Sequence, residues 1–121
     1  MGYVPIYLLI FLFSSFAHGQ QCAPVDAVKQ QIEEKACRAA NGVWARHGVL
    51  DHLCGVYSCA ERTKDGGKPC ASRAECEHLC VTERPARIGA EAPGKCTAVK
   101  TSFGCHVHVE GGRIVGRVCV D

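Results

Sequence analysis

Residues 103–121 read FGCHVHVEGGRIVGRVCVD, and the fold is decided here. Apolar and polar residues alternate on both sides of Gly111-Gly112, a pairing of pattern and turn that predicts a β-hairpin. With a two-residue turn, Glu110 faces Arg113, Val109 faces Ile114 and His106 faces Arg117. Successive strand residues point to opposite faces, so Cys105, Val107 and Val109 share one side, the side expected to be buried. The hairpin also carries two of the chain's ten cysteines, and these set the class of the protein.

Those ten, in a chain of 121 residues, are Cys22, Cys37, Cys54, Cys59, Cys70, Cys76, Cys80, Cys96, Cys105 and Cys119. Their number is even, no two are adjacent, and all follow an apolar N-terminal run. Five disulfides are the economical reading. Each restricts the unfolded chain and stabilises by about 2–4 kcal/mol. A chain this short, with 7% aromatic residues, has little core to set against that. The pairing itself stays open, because spacing does not select among the possible connectivities. Zinc ribbons need paired knuckles with cysteines two to four residues apart, and only Cys54/Cys59 and Cys76/Cys80 come near that pattern.

The N-terminal MGYVPIYLLIFLFSSFAHG has an apolar stretch from Val4 to Phe13, followed by small and polar residues ending at Ala17-His18-Gly19. Residues 1–19 are therefore expected to be a removed signal peptide, and residues 20–121 a single disulfide-rich domain. The run is too short for a stable bilayer span, so no stable membrane insertion is expected. No Lys or Arg precedes it, which departs from the usual charged start of a signal. Secretion or a periplasmic location follows. A net charge of +2 with scattered basic residues argues against nucleic acid as a partner.

From Pro24 to Ala40 the pattern predicts one amphipathic helix, with Pro24 in its first turn and Asn41-Gly42 as a left-handed stop. Val25, Val28, Ile32, Ala36 and Ala39 fall within about 40° of one line, the expected buried stripe, and Cys37 lies about 140° away. Lys29 with Glu33 and Glu34 with Arg38 have the spacing of helix ion pairs. VWARH and VLDHLCGVYSC, separated by Gly48, predict two short antiparallel strands, with Trp44 half-buried over the helix. Residues 61–104 are rich in turn formers and are expected to be mostly loops, with one short helical turn from Ser72 to Leu79 capped by Ser72 and Glu75. The fold class is thus a small disulfide-rich α+β domain: an N-terminal helix, short antiparallel hairpins and long loops.

Chemistry is sparse. His106, His108 and Glu110 project to one side of a strand, a combination that could ligate zinc or copper, although Arg113 and Arg117 opposite would repel a cation. His47 and His52 flank the first predicted hairpin and could join such a site. No Gly-x-Ser-x-Gly elbow is present, the thiols are expected to be oxidised, and Asp51-His52 lacks a nucleophile, so no enzymatic activity is expected. The loop from Val81 to Lys95 holds Pro85, Gly89, Pro93 and Gly94 with few large apolar residues. It is the expected partner-binding element through Arg84 and Arg87, with a mobile linker as the alternative.

DGGKPCASRAECEHLCV, GKC, FGCHVHVEGG and the closing CVD, with CRAANGVWARHG upstream, resemble a layout that recurs in small exported cysteine-rich bacterial proteins of unassigned function. The shared residues are mainly cysteines and turn formers, so the resemblance implies a scaffold and no ligand. The expected function is an exported, disulfide-stabilised, non-enzymatic binding module without a cofactor, whose partner is another exported or cell-surface protein. Two alternatives are a periplasmic metal-binding protein using His106 and His108, and a protease-inhibitor-like protein presenting Arg87-Ile88 on the Val81–Lys95 loop.

Overall fold

The computed structural model describes residues 22–121. The predicted signal, residues 1–19, lies outside them. Helix α1 spans Ala27–Ala39. It starts later than expected because Asp26, not Pro24, organises its first turn: Asp26 Oδ1 accepts from the backbone N–H groups of Val28 and Lys29, both at 3.0 Å. Asn41 takes the left-handed conformation that ends it, at φ 57°. Both predicted ion pairs form, Lys29–Glu33 at 3.7 Å and Glu34–Arg38 at 2.7 Å.

The buried face of α1 is not the apolar stripe. Val28 and Ile32 are 67% and 65% exposed, whereas Cys37 is buried. The reason is covalent. Strand β1 (Val43–Ala45) pairs antiparallel with β2 (Ser58–Ala60), and Cys37 is bonded to Cys59 of β2, which turns the Gln30–Glu34–Cys37 side of the helix inward. Gln30 then pairs with the Tyr57 backbone, donating from Nε2 to the carbonyl (3.2 Å) and accepting from the N–H (3.3 Å). Gly42 passes so close to this bridge that a Cβ there would meet Cys59 Sγ at 2.5 Å and Cys37 Sγ at 2.7 Å.

Between β1 and β2 the expected strand is a helix, α2, over Val49–Cys54. Asp51 in its first turn accepts from the His47 N–H (3.3 Å), and Gly55 at φ 66° stops it. Trp44 is half-buried as expected, stacked on Tyr57 at 6.3 Å, with Arg46 over the other ring.

The second half is a five-stranded antiparallel sheet ordered β3-β5-β4-β6-β7. Its strands are β3 (Pro69–Cys70), β4 (Cys80–Thr82), β5 (Gly94–Cys96), β6 (Gly104–Glu110) and β7 (Arg113–Val120). Residues 61–104 therefore contribute three strands where loops were expected. Each is two or three residues long, too short for alternation to register. The expected helical turn is a 3₁₀ turn at Arg73–Glu75, closed by the Ser72/Glu75 capping box. The β6–β7 hairpin forms with Glu110 opposite Arg113 and Val109 opposite Ile114. Beyond these, Val115 is an extra residue, and the bulge shifts the register so that His106 faces Val118 and Arg117 faces Val107.

The core is small and partly made of sulfur. Val109, Ile114, Cys80 and Ala92 are buried, with Cys70, Cys76, Ala90 and Val107 packed against them. Gly94 lies over the Cys70–Cys80 bridge, where a Cβ would come within 2.5 Å of Cys80 Sγ. The five bridges fall into two sets. Cys22–Cys54 and Cys37–Cys59 close the first half, while Cys70–Cys80, Cys76–Cys96 and Cys105–Cys119 close the second, and none crosses between them. This is a small disulfide-rich α+β fold.

Candidate functional site

The loop between β4 and β5, residues 83–93, is built as two unlike parts. Its first part leaves β4 through Arg84, whose N–H donates to Thr82 Oγ1 (3.3 Å), and reaches a turn in which the Ala90 N–H donates to the Arg87 carbonyl (3.0 Å) with Gly89 at φ 84°. Its second part runs along the outer edge of β7. Gly89 N–H donates to Ile114 O (2.7 Å), Ile114 N–H to Ala90 O (2.9 Å), and Ala92 N–H to Gly112 O (3.1 Å). Arg113 adds two bonds from its guanidinium, to Gly89 O (2.9 Å) and Glu91 Oε1 (3.0 Å). The loop is thus strapped to the hairpin, which argues against a mobile linker over residues 89–92.

Small Ala90 and Ala92 turn inward while Glu91 turns out, an alternation that could have revealed the strap but is broken by the neighbouring Gly and Pro. Arg84, Arg87 and Ile88 are exposed, and neither arginine side chain bonds another described residue. Arg84, Pro93, the Gly111-Gly112 turn and Arg113 are among the residues lining an open hollow of about 470 Å³. The Arg87-Ile88 bond sits in the turn, so it is not displayed in the extended form that strand-adding peptide recognition requires.

His106 and His108 stand two residues apart on β6 and are both half-buried. His106 Nε2 lies 3.0 Å from the Phe103 carbonyl, and since a carbonyl only accepts, this nitrogen carries the hydrogen. Burial holds His108 below its ordinary pKa, the charges of His106 and Arg73 push the same way, and Glu110 opposes them. Glu110 does not turn toward the two rings as a third ligand; its Oε1 accepts from the Arg73 N–H at 3.0 Å. Of the arginines expected to face the pair, Arg113 is tied to Glu91 and Arg117 lies opposite Val107, so the neighbouring cation is Arg73.

His47 contacts the Val43 carbonyl (3.3 Å) and His52 stacks on Phe103, so neither joins the strand pair. Among the described residues, one group of three His, Cys, Asp or Glu donors converges within 4.8 Å: Cys70, Cys76 and Cys96. All three are in disulfides and offer no thiolate. His78 Nε2 lies 3.3 Å from Ser102 Oγ, and no described hydrogen bond joins that ring to a carboxylate.

No family model, curated protein or solved structure matches this chain. The compartment is legible from the chemistry. Five disulfides and no free cysteine among the described residues fit an oxidising compartment. No helix of the described residues is long and apolar enough to cross a membrane.

Proposed function

We propose that the protein is an exported, non-enzymatic binding module, secreted or periplasmic, that recognises another exported or cell-surface protein through the strapped loop. The observation that carries this reading is that residues 89–92 are fixed to β7 by backbone bonds while Arg84, Arg87 and Ile88 remain exposed beside them. A loop ordered before binding loses less conformational freedom on association, and unpaired guanidinium groups suit carboxylates on a partner. His47 and His106, by contrast, sit against backbone carbonyls, His52 against an aromatic ring, and His108 is half-buried near the repelling charge of Arg73, which gives the metal-binding alternative less support.

The test is affinity capture from the native envelope or medium with wild type and an Arg84→Ala/Arg87→Ala variant. A partner retained by wild type should be lost from the variant, with melting temperature and disulfide content unchanged. Retention by that variant, with loss on joint replacement of His106, His108 and Arg117, would place recognition on the hairpin instead.

A further inference from the structure

We propose that the outer edge of β7 beyond its bulge pairs antiparallel with the same edge of a second copy, centred on Cys119, to form a symmetric dimer. Strand β7 is the last in the sheet. Its outer side is occupied at Gly112 and Ile114 by the strapped loop, and past Ile114 no described hydrogen bond reaches it. The Cα atoms of Cys105 and Cys119 are 4.0 Å apart, the closeness of a non-hydrogen-bonded antiparallel pair, so the N–H and C=O of Cys119 point away from β6. By the two-residue period those of Arg117 point outward as well, and the row continues to Asp121.

Exposed edges of this kind template pairing with another chain, and proteins commonly blunt them with Lys, Pro or a cover. Past the bulge, the charged residues on this edge are Arg117 and Asp121. Between Gly116 and Asp121 there is no Lys or Pro, and Val118 and Val120 are exposed. The Cys105–Cys119 bridge is itself at the surface.

The occupant is argued from charge and register. Centring the pair on Cys119 places Arg117 of each copy opposite Asp121 of the other, and Val118 opposite Val120. The two ion pairs lie on one face, and the four valines form a strip on the other. Centring on Val118 instead sets Arg117 against Cys119 and Asp121 against Val115, losing both ion pairs. The overlap of residues 117–121 lies clear of the segment that the loop already covers. Two five-stranded sheets would thereby join into one continuous sheet.

Sedimentation equilibrium across a concentration series reads this directly. Wild type should pass from monomer to dimer mass. Arg117→Asp alone and Asp121→Arg alone should each raise the midpoint concentration about tenfold, because both cross-strand attractions become repulsions. The double swap restores opposite charges in the same register and should return the midpoint close to wild type. Intact mass with five disulfides and an unchanged melting temperature establish that each variant is folded. A wild type that stays monomeric at about 1 mM overturns the proposal. So does a dimer whose midpoint ignores both single changes, or a double swap no better than either.

Discussion

His52 stacks on Phe103 with ring centroids 5.6 Å apart, joining the two halves that the disulfides leave unlinked. The same Phe103 receives the His106 Nε2–H at its carbonyl, so one residue ties α2 to the base of the hairpin. Replacing Phe103 with Ala should remove about 0.5–1.5 kcal/mol of aromatic pairing in addition to the surface the ring covers. Hydrogen exchange should speed up in α2 and around residues 101–104, leaving Val109 and Ile114 protected. An unchanged α2 would mean that the contact does not couple the halves.

Ile32 and Ile114 are the same residue type in opposite circumstances, 65% and 2% exposed. Ile114→Ala should cost about 2–5 kcal/mol, since it opens a space in a core with few other large side chains. Ile32→Ala should change stability by no more than about 0.5 kcal/mol, as alanine is the better helix former and little packing is lost. Chemical denaturation of the two variants side by side measures the difference. Comparable losses would show that the apolar stripe of α1 is covered in solution.

That contrast marks the boundary of what could be read from residues alone. The long hairpin was legible, because alternation over many residues around Gly111-Gly112 leaves one register at the turn. The bulge at Val115 was not, since a single extra valine looks like one more strand residue while moving Arg117 away from His106. The helix was legible as an element but not in its orientation. Its apolar stripe suggested one buried face, and the Cys37–Cys59 bond selected the other. α2 is not legible because VLDHLC carries β-branched and apolar residues that suit a strand, and only Gly48, Asp51 and Gly55 mark it as a capped turn of helix. For the candidate site, Arg84 and Arg87 could be named from loop composition, whereas the strapping of residues 89–92 depends on backbone pairing that composition does not record.

Because no bridge crosses between the halves, breaking one set should spare the other. Removal of the Cys37–Cys59 bond by paired substitution with Ala is expected to cost about 2–5 kcal/mol. The loss should be local. Amides of Ala27–Ala39 should lose exchange protection first, while those of β6 and β7 keep theirs, giving two separated transitions on heating. A single transition in which both halves melt together would show that the seam at His52 and Phe103 transmits the damage.

The pH response follows from His108. Its pKa is depressed in the folded protein by burial first, then by His106 and Arg73, so the unfolded chain takes up this proton at a higher pH than the native one. Between those two values the unfolded state holds more protons, and stability must fall as pH falls through that window. The decline should begin near the ordinary histidine value of about 6.5 and level off below the folded one. The carboxylates of Glu75 and Glu77 are also held low, by backbone N–H groups of Ala71 and Ser72 and by Lys100 respectively, and their loss of stability comes at more acidic pH. His108→Gln should therefore flatten the melting-temperature curve between about pH 7 and pH 5 while leaving the fall at lower pH in place. If the variant keeps the full decline across that interval, another group carries it and the assignment to His108 is wrong.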